Sequence, residues 1–196
     1  MKNIAAFLDR DGVINKFVPD LSKKEQIRIL DFSAEAIRLL NELKFVVIIV
    51  VNSPQVAKGY CTEEMIKEIN NKVVSELKEK GAIIDAVYSC PHHPERGFPG
   101  ENIKYKIKCN CRKPNIGMLE EAAADFNIDL SRSFIVGDTT LDIKAGENVR
   151  KKYPGFKTIL VKTGLSGLDG KYFTTPDFVV ENILEAAKLI KSLVNE

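Results

Sequence analysis

Residues 45–51 read FVVIIVV, seven consecutive apolar positions rich in β-branched side chains, and the run stops abruptly at Asn52 and Ser53. A strand with one wet face alternates apolar and polar residues. A strand that is apolar at every position must be covered on both faces, as parallel strands are in α/β proteins. Further short apolar runs lie at 4–8, 83–88, 134–136, 158–161 and 178–180, and none is long enough to span a bilayer. Amphipathic stretches separate them. Ser33 is placed to cap a helix running through 43, and Thr62 to cap a second, with Glu63 and Glu64 in its first turn. Met65, Ile69, Val73 and Leu77 recur every four residues as a core stripe, and Gly81 ends that helix. Pro114 opens a third over 115–126, and two more cover 141–151 and 181–194. The order β-α-β-α-β-loop-α-β-α-β-β-α predicts one α/β domain over 1–196. Its sheet is doubly wound, Rossmann-like and mostly parallel, with helices on both faces and right-handed crossovers.

The chain has 196 residues, 44% hydrophobic and 29% charged, enough to bury a core and too apolar for disorder. The net charge is +2 with scattered basic residues, which argues against a nucleic-acid face. No run reads as a signal peptide or membrane span, so the expected location is cytoplasmic, with reduced thiols. No long apolar seam is left over, and the expected state is a monomer.

Open parallel sheets bind ligands beyond the carboxyl ends of their strands. Asp9 and Asp11 follow the first run and Asn52 and Ser53 the second. Cys90 and His92 follow the third, and Gly137 and Asp138 the fourth, with Asp142 one turn on. Asp9 and Asp11 are two apart, so an extended chain projects both to one side, and Gly12 allows a sharp turn after them. Four carboxylates at one edge repel unless a cation neutralises them, and oxygen ligands with phosphate suit Mg²⁺. One aspartate could attack phosphorus while its neighbour moves protons.

LDRDGVIN, residues 8–15, resembles the first motif of the haloacid dehalogenase (HAD) superfamily, VGDTTLD the fourth, and CRKP, residues 111–114, the basic third motif of its heptose-bisphosphate and histidinol-phosphate phosphatase branch. The likeness runs from about residue 4 to 149. It implies a HAD-type fold and a Mg²⁺-dependent phosphatase acting on a small phosphorylated metabolite, a heptose bisphosphate first and histidinol phosphate second. It implies Asp9 as nucleophile and Asp11 as the acid that protonates the leaving oxygen and then activates water. Mg²⁺ would be held by Asp9, the backbone carbonyl of Asp11 and Asp138, supported by Asp142. Lys113 would neutralise the transferring phosphoryl group and Arg112 would contact substrate.

The stretch 90–111 holds both histidines and three of the four cysteines. Cys90-x-His92 and Cys109-x-Cys111 form a Cys₃His set, a closed tetrahedral shell for structural Zn²⁺. His93 is an alternative to His92. The Pro- and Gly-rich stretch between the pairs reads as a loop that a metal would clip, and the branch shares this arrangement. Zinc would then position Arg112 and Lys113. Cys61 lies outside the cluster and is expected to pack as a small hydrophobe.

Two positions depart from the family pattern. Val51 stands where the second motif usually carries Ser or Thr, leaving Asn52, Ser53 and backbone N–H groups to bind substrate. Thr139 stands where many relatives have a basic residue. The short 19–31 connection leaves no room for a large cap. A different class also fits an acidic cluster on an α/β sheet, namely a degenerate phosphate-binding or signalling module, which steady phosphate release would separate from an enzyme.

Overall fold

The computed structural model describes residues 2–195. Its strands are β1 (Ala5–Leu8), β2 (Val46–Asn52), β3 (Ala86–Cys90), β4 (Phe134–Gly137), β5 (Lys157–Val161) and β6 (Phe178–Val180). Its helices are α1 (Ser33–Glu42), α2 (Glu63–Glu79), α3 (Gly117–Asp125), α4 (Thr140–Lys152) and α5 (Ile183–Asn195). Three short 3-10 turns, Lys24–Gln26, Ile103–Tyr105 and Leu130–Arg132, sit in the connections. The sheet order is β3-β2-β1-β4-β5-β6 and every neighbouring pair is parallel. The order reverses beside β1, so the crevice opens between the ends of β1 and β4.

The pleat of β1 explains the two layers of core. Ala6 and Leu8 join the cluster built with α1, α2 and α5, while Ala5 and Phe7 join the one built with α3 and α4. Both faces of β1 are therefore dry. Cys61 is half-buried against the first cluster, as expected. No helix among the described residues is long and apolar enough to cross a membrane.

Three local expectations change. Ser33 is not a cap. Phe32 takes that position, and the buried Ser33 hydroxyl donates to the Ile14 carbonyl at 2.8 Å, tying α1 to the segment after β1. Thr62 does cap α2, accepting from the Met65 N–H at 3.3 Å, but Ile66 replaces Met65 on the buried stripe. The third strand starts at Ala86 rather than 83, because Ile83 is 56% exposed and the Asp85 carboxylate accepts the Val47 N–H.

Candidate active site

Asp9 continues β1 beyond Leu8, and Asp138 continues β4 beyond Gly137. Asp142 lies in the first turn of α4, its Oδ2 accepting the Thr139 N–H (3.2 Å) and hydroxyl (2.5 Å). Carboxylate oxygens of Asp9, Asp138 and Asp142 come within 4.8 Å of one another. Small residues permit this crowding. A Cβ on Gly137 would lie 2.3 Å from Asp142 Cγ, and one on Gly164 would lie 2.1 Å from Asp138 Oδ2. Gly12 makes the sharp turn expected of it (φ +80°), and a Cβ there would meet Asp138 Oδ2 at 2.3 Å.

Lys113 bridges two of the three acids. Its ammonium donates to Asp9 Oδ1 (2.8 Å), Asp142 Oδ1 (2.6 Å) and the Val50 carbonyl (2.7 Å), and the side chain is buried. Burial works against its charge, but Asp142 and Asp9 outweigh it and hold its pKa above the ordinary lysine value. Asn52 fixes the Lys113 backbone from both sides, accepting its N–H (3.0 Å) and donating to its carbonyl (3.1 Å). The Asn52 amide is thereby turned to Lys113 as well as to the cavity.

One acid is placed differently from the expectation. The Asp11 carboxylate borders the same cavity as Asp9 but stands outside the three-acid cluster. Arg10 holds it through Nε (3.2 Å) and NH2 (2.7 Å), and Asn15 donates to it at 2.9 Å. The metal contact expected of Asp11 is its backbone carbonyl, which does not need the carboxylate to join the cluster. Arg10 is fully buried, and its NH1 donates to Asn70 of α2 at 2.7 Å. Sequence reasoning missed it, although a lone arginine flanked by two acids at a strand end is a visible signal.

Ser53 requires a correction. It is fully buried, its hydroxyl is shared with Ser89 at 2.9 Å, and its N–H donates to the Cys90 carbonyl. The pairing of β2 with β3 turns it away from the cavity that Val51, Asn52 and Gln55 line. That cavity, about 270 Å³, is also lined by Phe17 and Val18 and by Leu165, Asp169 and Lys171 from the loop after β5. Those residues too went unread, because glycine-rich GLSGLDGK has no helical or strand period that would place its Asp169 and Lys171 at the site.

The residues fit a hard divalent cation. All donors are oxygens, and Asp138 Oδ1 is buried with no hydrogen-bond partner. Burial, reinforced by Asp142 and Asp11 and opposed by Lys113, pushes Asp9 up to about 7. Burial, with Asp9 and Asp142, pushes Asp138 up to about 8 against the Leu165 N–H and Lys113. Both start from 3.8, so between about pH 4 and 8 the cation-free native state binds more protons than the unfolded chain. Its stability then falls as pH rises through that window. A cation that binds the ionised pair removes this loss. The Mg²⁺-induced rise in melting temperature is expected to grow steadily from pH 5 to 8, and a rise equal at both ends would contradict the site's electrostatics.

At the end of β3, Cys90, His92, Cys109 and Cys111 converge. Cys111 Sγ lies 2.8 Å from Cys90 Sγ, 3.3 Å from Cys109 Sγ and 3.2 Å from His92 Nδ1. A tetrahedral zinc thiolate shell separates its sulfurs by roughly 3.8 Å, so the set is slightly tighter than a filled shell and chemically suited to it. Burial raises the Cys90 and Cys111 thiols, so a cation is what would keep them ionised. His93 points elsewhere: it is buried against the Phe98 ring, with Nδ1 3.4 Å from the Glu95 carbonyl. Parallel register sets Cys90 beside Asn52, and Asn52 holds Lys113, two residues after Cys111. The cluster and the buried lysine are thus mechanically continuous. Arg112 sits between them, donating to the His92 carbonyl at 3.2 Å.

Known proteins share this architecture. A family model described as HAD-hyrolase-like matches residues 110–186. The D-glycero-beta-D-manno-heptose-1,7-bisphosphate 7-phosphatase of Pasteurella multocida (strain Pm70) is 37% identical over 96% of this chain and 97% of its own. The D-glycero-alpha-D-manno-heptose-1,7-bisphosphate 7-phosphatase of Photorhabdus laumondii is 38% identical over 81% and 82%. The structure of the D,D-heptose 1,7-bisphosphate phosphatase of B. bronchiseptica, complexed with magnesium and phosphate, superposes with a TM-score of 0.80. It is 28% identical and covers 98% of this chain and 99% of that one. The chain belongs to the HAD-like hydrolases and is a phosphoric monoester hydrolase of that superfamily.

Proposed function

We propose that this phosphatase hydrolyses the 7-phosphate of D-glycero-D-manno-heptose 1,7-bisphosphate with Mg²⁺ through an aspartyl-phosphate. The observation that carries the reading is the buried Lys113 bridging Asp9 and Asp142 at the mouth of an open cavity, in a chain whose relatives at 37% and 38% identity bear that activity in their names. Asp9, bordering the cavity, attacks phosphorus; a P–O bond to the aspartate forms as the P–O7 bond breaks, and Asp11 gives the departing oxygen its proton. Asp11 then takes a proton from water, which attacks phosphorus and releases Asp9 and inorganic phosphate. Asp9, Asp138 and the Asp11 carbonyl, supported by Asp142, would hold Mg²⁺, which would supply positive charge for the phosphoryl oxygens. Lys113 supplies a second, already desolvated cation on the protein side. Arg112 contacts the substrate, and Asn52 keeps Lys113 in place.

The test is phosphate release with Mg²⁺ from both heptose 1,7-bisphosphate anomers, histidinol phosphate and simple sugar phosphates. Relatives of similar identity bear either anomer in their names, so both are needed. Saturable turnover is expected on at least one heptose anomer. A preference for histidinol phosphate would replace the heptose reading, and release from none would favour a phosphate-binding module.

The Cys–His cluster is assigned structural Zn²⁺. One zinc per chain is expected by elemental analysis. Cys109→Ser is expected to lose it, to expose the loop to tryptic cutting at Arg96, and to lower turnover at least about tenfold by loosening Arg112 and Lys113. Full activity in a zinc-free protein would separate the cluster from the chemistry.

A further inference from the structure

The acid-lined cavity is one end of a longer trough. A second cavity of about 590 Å³ adjoins it, and Pro54, Arg112, Lys113, Leu141 and Lys171 line both. The two halves differ in charge. Arg112, Lys113 and Lys171 stand at the junction; beyond them the inner half adds only carboxylates, Asp9, Asp11, Asp20, Asp138 and Asp169, whereas the outer half adds Lys58 and Lys108 against the single carboxylate of Glu95. A metal and a transferring phosphoryl group account for the inner half and leave the outer cations unexplained.

Lys171 is the outer cation best placed to act. Lys58 is paired with Asp20 at 2.7 Å and Lys108 lines the outer half alone, whereas Lys171 lines both halves and has no ion pair among the described residues. Its backbone is nevertheless anchored. Asp169 accepts both the Thr140 N–H (2.6 Å) and hydroxyl (2.7 Å), and the Tyr172 N–H donates to the Thr140 hydroxyl at 3.2 Å. Further back, the Leu165 N–H donates to Asp138 Oδ2 and the Gly167 N–H to the Asp138 carbonyl, both at 2.7 Å. The loop after β5 is thus tied to the residue that follows β4 and to the start of α4, with Lys171 between two of the ties. An exposed ammonium on a fixed backbone recognises an anion with little ordering cost.

The geometry points to Lys171 as a specificity residue that, with Arg112, binds the phosphate that is not transferred. This rests on the bisphosphate reading above, since only a substrate with two phosphates fills both halves. Binding is to be measured by calorimetry with Mg²⁺ in the Asp9→Asn background, where turnover does not intervene, using heptose 1,7-bisphosphate and heptose 7-phosphate. The bisphosphate is expected to bind about tenfold tighter, and high salt to shrink the difference. Lys171→Met should erase most of that preference while Lys171→Arg keeps it. Equal weakening of both ligands, an unchanged ratio, or no preference in the parent would each overturn the assignment. Turnover by the wild-type protein tests the bisphosphate reading separately. A protein that shows the Lys171-dependent preference but releases no phosphate would keep the subsite and lose the activity.

Discussion

Asp9→Asn is expected to reduce phosphate release by on the order of 10⁴ or more while leaving a folded protein that still takes up zinc. The two effects separate because Asp9 is costly to the fold when ionised and indispensable to the chemistry. Burial pushes its carboxyl up to about 7, with Asp142 and Asp11 adding to the shift. A neutral amide of the same shape removes that repulsion, and Lys113 keeps Asp142 and the Val50 carbonyl. In Mg²⁺-free buffer at pH 8 the variant should therefore melt no lower than wild type, and its melting temperature should respond less to Mg²⁺. Retention of more than about a hundredth of the activity would remove Asp9 as the nucleophile and leave it as a metal ligand only. A variant that fails to fold would contradict the electrostatic account of its burial.

The central strands β1, β2 and β4 were legible because they are dry on both faces, and a dry strand reads as an uninterrupted apolar run. The boundary errors lie where tertiary contact decides. The segment before Ala86 looks like strand, yet Ile83 faces solvent. The acids at the ends of β1 and β4 were legible for the same reason as the strands, since an abrupt apolar-to-acid step marks a sheet edge. Lys113 differs. Its neighbourhood of scattered basic residues gives no local sign that one lysine alone is buried between carboxylates more than 25 positions away on either side. Only a likeness to a known motif singled it out. Ser53 shows the converse, because a hydroxyl beside an active strand end is attractive in sequence, yet it is buried with its hydroxyl against Ser89. The loop carrying Asp169 and Lys171 was invisible because its position depends on hydrogen bonds to Asp138 and Thr140, which no sequence period encodes.

Lys113→Met tests the centre of the site more severely than any acid does. Methionine preserves much of the apolar stem but deletes three hydrogen bonds at once. It leaves Asp9, Asp138 and Asp142 with no internal cation, and breaking a buried ion pair on one side costs about 3–5 kcal/mol. For a chain of this size that corresponds to a fall in melting temperature of roughly 6–20 °C. The loss should depend on pH in a definite direction. Near pH 5 Asp9 and Asp138 can hold protons, since burial keeps their pKa values well above 3.8, and the missing ammonium matters less. Towards pH 8 the wild-type carboxylates ionise beside the ammonium while the variant must keep them protonated or leave them unpaired, so the deficit relative to wild type grows. Mg²⁺ should recover part of the stability, because it neutralises the same oxygens. It should not recover turnover, expected to be down by about 10²–10³, because the transferring phosphoryl group loses the cation on its protein side. Lys113→Arg should restore the charge but not the activity, since a planar guanidinium cannot donate to Asp9, Asp142 and the Val50 carbonyl from one point. If the methionine protein instead matches wild-type stability at pH 8 without Mg²⁺ and turns over within about tenfold of it, the bridge between Asp9 and Asp142 is incidental and the proposed electrostatics of the site fail.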